Sequence, residues 1–178
     1  LIGIAIGTAA VVAMLHVGHN ASREALRQFE ALGTDLVMMQ PQSSGSAAAD
    51  VGIDDVLALP KQGIGISAVS AMVQTGGIIR ARRSDVQANI LAATDGIYTL
   101  AKAKLDYGRV TSDLDRFSPF AVLGAETATG LQGPNGKPIT VGERITFNGQ
   151  NLTVVGVLED APPNVLLNLE LNRSVIIP

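Results

Sequence analysis

An uncharged, largely apolar run opens the chain and constrains its fold more than any other feature. Residues Leu1–Leu15 contain no charged side chain, and the chain turns polar only a few residues later. A bilayer span needs about 20 apolar residues, and the uncharged stretch that reaches Asn20 is only partly apolar. No basic segment precedes it, unlike in a secretory signal peptide. The run therefore predicts the outer end of a membrane-spanning helix, cut by the start of the sequence. A buried helix of a soluble domain is the alternative.

A second helical pattern follows this run directly. Leu26, Phe29 and Leu32 recur at a spacing of three between charged residues, and Gly33 is placed to end the helix. We expect a membrane helix that continues into an amphipathic stalk. Such a stalk would tie the rest of the chain to movements within the membrane.

Composition excludes several classes of function. The chain has 178 residues, a formal net charge of -3 and only 3% aromatic residues, so its core must be aliphatic. Its densest cationic cluster, Arg80, Arg82 and Arg83, is too small for a nucleic-acid surface. It has no cysteine, so disulfides and cysteine-based zinc sites are excluded.

The first half of the chain alternates short strand and helix patterns. The predicted elements are a strand at 34–40, a flexible loop at 42–50, a helix at 53–59, strands at 66–74, 78–83 and 86–93, and a helix at 95–104. Gly76-Gly77 is interpreted as a hairpin turn between two of these strands. Asp95 is interpreted as the N-cap of the last helix.

The second half of the chain has a different character. The predicted elements are a strand at 120–123, a helix at 125–131, a turn at 133–136, strands at 145–148 and 152–158, a loop or helix at 161–171, and a strand at 174–177. Gly149-Gln150-Asn151 is interpreted as the hairpin between the two middle strands. The change predicts an α+β fold of two small mixed lobes, which divide near residues 107–118.

Residue patterns that would support nucleotide or metal binding are incomplete. Pro138 follows Gly136-Lys137, and Leu131 stands where a phosphate loop needs its first glycine. His16 and His19 could share a helix face, but no other histidine is available to complete a metal site. No cofactor and no metal are therefore predicted.

Patterns that would support catalysis are equally weak. Carboxylate pairs occur at Asp54/Asp55, Asp113/Asp115 and Glu159/Asp160, and we interpret them as solvated turns. No Gly-x-Ser-x-Gly motif is present. No catalytic residue is therefore assigned. Partner-binding residues stay unknown, with the segments 42–50 and 133–138 as candidate contact surfaces.

Two stretches of the chain carry motifs of a known family. The first is Glu30-Ala-Leu-Gly-Thr-Asp-Leu-Val-Met-Met-Gln-Pro41, at the predicted passage from stalk to strand. The second combines Phe120-Ala-Val-Leu-Gly124, Ile145-Thr-Phe-Asn-Gly149 and Leu152-Thr-Val-Val-Gly-Val-Leu158. Together they resemble the extracytoplasmic domain of the MacB-like ABC transporter permeases, over nearly the whole chain. The family usually has an aromatic residue where this chain has Gln132.

The resemblance implies a division of the chain into regions. They are 1–33, the end of the first transmembrane helix and the stalk; 34–106, the first part of a porter-like βαβ lobe; 107–160, an inserted second lobe; and 161–178, a return to the porter-like lobe. The resemblance also implies a homodimeric permease of the bacterial inner membrane, with most of this chain in the periplasm.

The resemblance implies that this domain takes part in transport and catalyses no reaction itself. ATP would be hydrolysed by a cytoplasmic nucleotide-binding domain or subunit, and the helices would relay its motion by mechanotransmission. The implied partners are that ATP-binding part, a periplasmic adaptor protein and an outer-membrane channel, and the implied process is efflux. The transported substrate is not predicted.

Two other functions remain as alternatives. One is the related permease class, in which the same domain recruits a cell-wall hydrolase or a lipoprotein partner. The other is a soluble hydrolase with a buried N-terminal helix, which would require a deep polar pocket. The identity of the partner separates the first alternative from export.

Overall fold

The computed structural model describes most of the chain. Described are Gly3, Gly7 and residues 11–20, 22–23, 36–40, 52–63, 65–81, 84–132, 136–161 and 168–178. They fall into two compact units, Leu1–Met38 and Met39–Pro178. The predicted loop at 42–50 and the stalk residues 24–33 lie outside the described residues.

The first unit contains a helix with an apolar, exposed surface. We name residues 11–20 helix α1; Gly3, Gly7, Ser22 and Arg23 are also helical, which confirms the predicted helix at these positions. Large apolar side chains of α1 are more than half exposed, namely Val11, Val12, Met14, Leu15 and Val17. Within the described residues, no helix is both long and apolar enough to cross a membrane.

Residues 36–40 form neither helix nor strand, so the prediction of a strand at 34–40 is wrong for them. Apolar and β-branched residues favour a strand because they fit a pleated surface. This preference produces a strand only where a neighbouring strand is available for pairing.

Seven strands of the second unit form one sheet. They are β1 Met72–Ala81, β2 Ser84–Ala93, β3 Leu105–Gly108, β4 Phe120–Leu123, β5 Arg144–Phe147, β6 Gln150–Leu158 and β7 Ser174–Ile177. Their order is β3-β6-β4-β7-β2-β1-β5, and β5 also pairs with β6. Six strands therefore form a closed ring in the order β6-β4-β7-β2-β1-β5. β3 lies outside this ring and pairs with residues 156–158 of β6, which follow the residues of β6 that pair with β5. The pairs β2–β7 and β4–β6 are parallel.

Short helices precede β1 or connect the strands. They are α2 Ile53–Ala58, α3 Gly96–Leu100 and α4 Ala125–Gly130, with 3₁₀ helices at Leu59–Gln62, Asp113–Asp115 and Leu171–Arg173. The helices predicted at 53–59 and 125–131 are confirmed. The strands predicted at 120–123, 145–148, 152–158 and 174–177 are confirmed to within two residues.

Helix α3 is shorter than predicted. It ends at Leu100, because Lys102 takes a left-handed conformation with φ 51°. The amide of Lys102 donates to the carbonyl of Thr99, and the amide of Ala103 donates to that of Tyr98. This is a Schellman cap, which usually uses glycine. Asp95 does lie at the N-cap position, but its side chain makes no capping hydrogen bond.

The prediction of a turn at Gly76-Gly77 is wrong. Strand β1 runs straight through both glycines and pairs with β2 from Met72 to Ala81. A Cβ atom at Gly77 would overlap the ring of Phe147, whereas Gly76 has open space around it. Gly77 therefore marks the close approach of an aromatic ring, not a reversal of the chain. The strand predicted at 66–74 begins only at Met72.

The β5–β6 hairpin lies slightly earlier than predicted. Asn148 and Gly149 have φ values of 47° and 81°, and β6 already begins at Gln150. Two central residues with positive φ are the requirement of a type I′ turn, for which Asn-Gly is a preferred pair. The turn is therefore Asn148-Gly149, and the predicted Gly149-Gln150-Asn151 segment mostly belongs to the strand.

The core of the second unit is aliphatic, as the composition requires. Fully buried side chains come from most strands of the ring, for example Ile79, Leu123, Ile145, Val154 and Val175. The unit is a mixed α and β domain with one sheet and few helices. The strands of all three regions predicted between 34 and 178 join this sheet. The division into lobes remains a prediction.

Candidate interaction surface

An ion pair organises the loop at residues 109–118, which follows β3. Arg109 donates two hydrogen bonds to Asp115, from Nη1 to Oδ2 at 2.6 Å and from Nη2 to Oδ1 at 2.9 Å. The amide of Ser112 donates to the same Oδ2 at 2.9 Å. The guanidinium of Arg109 also lies 5.2 Å from the ring centroid of Phe120. These contacts hold the loop against the start of β4.

The pKa shifts of Arg109 and Asp115 are those of a permanent structural ion pair. Hydrogen bonds from Arg109 and from the Ser112 amide hold the pKa of the Asp115 carboxyl well below its usual range. The hydrogen bond to Asp115 likewise raises the pKa of Arg109. Both groups are therefore charged at all physiological pH values. Asp115 is thus a buried, ion-paired residue, and the interpretation of Asp113/Asp115 as a solvated turn is wrong for it.

A buried hydrogen bond joins the 109–118 loop to helix α3. The hydroxyl groups of Tyr98 and Thr111 lie 2.7 Å apart, and both residues are almost fully buried. Burial raises the pKa of the Tyr98 phenol above its ordinary value, so this group stays neutral. The loop is thereby fixed to the helix and, through Arg109, to the sheet.

A cleft of about 550 Å³ lies beside this loop. Its lining mixes apolar and charged side chains: Asp54, Leu57, Ala58, Pro60, Lys61, Ala68, Val69, Asp95, Gly96 and Asp113. Arg116 at the edge of the loop lies 3.7 Å from Asp54. The structure therefore brings together one carboxylate from each of two predicted pairs, Asp54 and Asp113. Within the described residues, no three His, Asp or Glu side chains are placed to hold a metal ion.

The other residues singled out in the sequence lie apart from this cleft or outside the described residues. His16 and His19 are exposed on α1. Glu159 and Asp160 are exposed, and the carboxylate of Asp160 accepts a hydrogen bond from the side chain of Asn172. In the candidate contact segment 133–138, residues 136–138 are exposed, and 133–135 are outside the described residues.

Sequence reasoning missed the Arg109–Asp115 pair. A signal was available, because Ser112 and Asp115 have the Ser-x-x-acid spacing of a capping box at the start of a helical turn. That spacing predicts the hydrogen bond from the Ser112 amide to the Asp115 carboxylate. It does not predict that Arg109 pairs with Asp115, since the position of this arginine depends on how the loop folds back on the sheet.

Comparisons with known proteins agree on one family. Residues 1–178 match the family described as the MacB-like periplasmic core domain. A protein of Hyphomonas neptunium, named as a macrolide export ATP-binding/permease protein, is 28% identical over 166 residues, which are 89% of this chain and 25% of that protein. A protein of the same name from Azoarcus sp. strain BH72 is 33% identical over 168 residues, which are 89% of this chain and 24% of that protein.

A solved structure shares the fold. The periplasmic region of MacB from Actinobacillus actinomycetemcomitans superposes with a TM-score of 0.57 and 20% identity, over 71% of this chain and 54% of that one. At this identity the similarity concerns the fold alone. The chain spans about a quarter of the length of the two curated relatives. The family match over residues 1–178 confirms the resemblance seen in the sequence, and the chain belongs to the MacB-like periplasmic core domain family.

Proposed function

We propose that the chain is the extracytoplasmic domain of an ABC-type export permease of the bacterial inner membrane. Besides the family membership, the observation that carries the proposal is the surface of α1. Val11, Val12, Met14, Leu15 and Val17 are 52–81% exposed. At about 100° per residue these positions cover roughly 220° of the helix circumference, and Ala13, His16 and Asn20 occupy the remaining side. A helix with so wide an apolar and exposed surface is suited to contact with a bilayer.

Mechanotransmission is the proposed role of this helix. Ser22 and Arg23 are helical beyond α1, which supports a helix that continues from the membrane towards the domain. An α-helix is stiff over a few turns, so displacement at one end reaches the other. ATP hydrolysis by a separate cytoplasmic domain or subunit would thus move the extracytoplasmic domain, which performs no catalysis itself.

One proposed partner, an ATP-binding domain or subunit, follows from the names of the relatives, which combine export with an ATP-binding part. The others are a second copy of the permease, a periplasmic adaptor protein and an outer-membrane channel, and they follow only from the resemblance to the MacB-like permeases. The transported substrate is not assigned.

The test breaks the helix where the stalk is predicted to begin. Replacing Arg23 and Glu24 by Gly-Pro in the full-length protein interrupts the helix, since proline removes a backbone donor and clashes with the preceding turn. We expect ATP hydrolysis to continue while export stops. The measurements are ATPase activity and transport in reconstituted vesicles, with circular dichroism to check that the domain stays folded.

The matched control replaces the same two residues by Ala-Ala. This variant removes both charges but keeps the helix, and it should transport normally. Normal export by the Gly-Pro variant would refute the stalk mechanism. Capture of a cell-wall hydrolase or a lipoprotein chaperone by the domain, with no transport in either variant, would favour the related permease class.

A further inference from the structure

Two large apolar side chains stand almost fully in solvent beside the cleft. Leu114 is 96% exposed and Phe117 is 94% exposed. They lie in residues 114–117, which we call the tip, at the outer part of the 109–118 loop. Aromatic and arginine side chains are enriched at protein interfaces, and this loop presents an exposed phenylalanine and Arg116 beside an exposed leucine.

The tip is held in one conformation. Phe117 has φ 71°, a backbone conformation that bulky residues rarely adopt. It persists because the loop is fixed on both sides. The amide of Ser118 donates to the carbonyl of Asp115 at 2.7 Å, and the amide of Thr153 in β6 donates to that of Pro119 at 2.7 Å. Such strain recurs at binding sites, where preorganisation lowers the entropy lost on association.

The cleft next to the tip has complementary chemistry. Leu57, Ala58, Pro60, Ala68 and Val69 give it apolar walls around a volume of about 550 Å³. Its own chain does not fill it with the tip, because Leu114 and Phe117 are exposed.

Charge also favours a match between tip and cleft. The cleft carries three carboxylates, Asp54, Asp95 and Asp113, against one ammonium group, that of Lys61. The tip carries the guanidinium of Arg116, whose side chain is 43% exposed and lies 3.7 Å from Asp54 of its own cleft. This contact within one chain shows that the charges of tip and cleft match, and docking exchanges it for the same contact between two copies.

We propose that the tip of one copy of this domain docks into the cleft of a second copy, and reciprocally. Asp113 belongs both to the 3₁₀ helix at the base of the tip and to the lining of the cleft. Tip and cleft are therefore neighbours on one face, and a two-fold axis beside them pairs each tip with the other cleft.

The contact area of a single tip is small. Stable docking of the tip in the cleft therefore rests on the proposed function. In that function, membrane helices hold two copies together and raise the effective concentration of each tip near the other cleft.

The test uses pairs of single cysteines, because these 178 residues contain none. One tagged full-length copy carries Ser118→Cys, which keeps Phe117 in place, and a second copy with a different tag carries Ala68→Cys in the cleft. The two copies are expressed together and oxidised in membranes. Gln150→Cys, an exposed position on the β5–β6 hairpin, replaces Ala68→Cys as the matched control. We expect the 118–68 product to exceed the 118–150 product at least about tenfold.

A second variant separates docking from folding. Phe117→Gly removes the anchor and suits the left-handed backbone, so the domain should keep its thermal stability while the 118–68 product falls to the control level. Equal yields for positions 68 and 150, or a 118–68 yield unchanged by Phe117→Gly, would overturn the inference. Membrane fractionation is scored separately. Protein that pellets with membranes but fails to cross-link refutes the tip contact alone, whereas protein absent from membranes refutes the proposed function.

Discussion

Strands β1, β4 and β7 belong to one sheet, but their residues are buried to very different extents. Three of the four residues of β4 are buried, and so are three of the four residues of β7. In β1, Ile79 is the one buried residue among ten. Beyond Ile79 and Arg80, where it meets β5, β1 pairs only with β2 among the described strands.

The difference shows which part of the domain maintains the fold. β4 and β7 each lie between two other strands, and except for Ser174 their buried residues are aliphatic. Residues 72–78 of β1, which we call the β1 edge, contain exposed Val73 and Ile78 and two glycines. Changes in β4 or β7 should therefore affect the free energy of unfolding, and changes at the β1 edge should affect it little.

The largest expected effect compares one substitution in the two regions. Ile176→Ala in β7 removes a fully buried side chain and leaves a cavity, which should lower the free energy of unfolding by about 2–5 kcal/mol. Ile78→Ala at the β1 edge removes a side chain that is 54% exposed and should cost at most about 1 kcal/mol. Urea unfolding followed by circular dichroism measures both. Equal losses would contradict the comparison.

The same contrast explains how much of the fold the sequence predicts. The strands at Phe120–Leu123, Gln150–Leu158 and Ser174–Ile177 were predictable, because buried strands are continuous β-branched and aliphatic runs. The sequence does not predict β1 as one strand, since Gly76-Gly77 resembles a turn when the position of Phe147 is unknown. It predicts α3 too long for a related reason: Lys102 gives no sequence signal for its left-handed cap.

The candidate surface was less predictable than the fold. Asp54 and Asp113 were singled out as members of carboxylate pairs, but the cleft that joins them depends on contacts distant in sequence. Leu114 and Phe117 resemble ordinary core residues in the sequence. Their exposure follows from the Arg109–Asp115 pair, which orients the loop, and no local pattern contains that information.

A smaller effect is expected from two adjacent glycines within β1. Gly77→Ala would place a methyl group into the ring of Phe147, and this overpacking should cost about 1–3 kcal/mol. Gly76→Ala meets open space and should stabilise the strand by about 0.5 kcal/mol. Thermal unfolding of both variants tests whether the β1 edge tolerates substitution at every position except the one that the ring of Phe147 covers. A loss of stability in the Gly76 variant would show a contact that the present structure lacks.

The smallest effects compare two ion pairs, one in each region. Arg109–Asp115 lies beside Phe120 of β4 and has a carboxylate side chain that is 12% exposed, whereas Arg80–Asp85 joins β1 to β2 with both side chains more than half exposed. Exposed pairs contribute about 0–1 kcal/mol. Asp115→Asn should therefore lower the melting temperature at neutral pH, and Asp85→Asn should change it little.

The pH dependence gives the sign of the Asp115 contribution. The pKa of the Asp115 carboxyl is lowered in the folded state, and in the unfolded chain it is about 3.9. Stability from the pair is therefore fully present above about pH 5 and is lost as the pH falls below about 4, towards the folded pKa. The difference in melting temperature between the native chain and Asp115→Asn should be constant from about pH 7 to 5 and then shrink. A difference that persists undiminished down to about pH 2 would mean that the asparagine disturbs the loop through its shape, not through the missing charge.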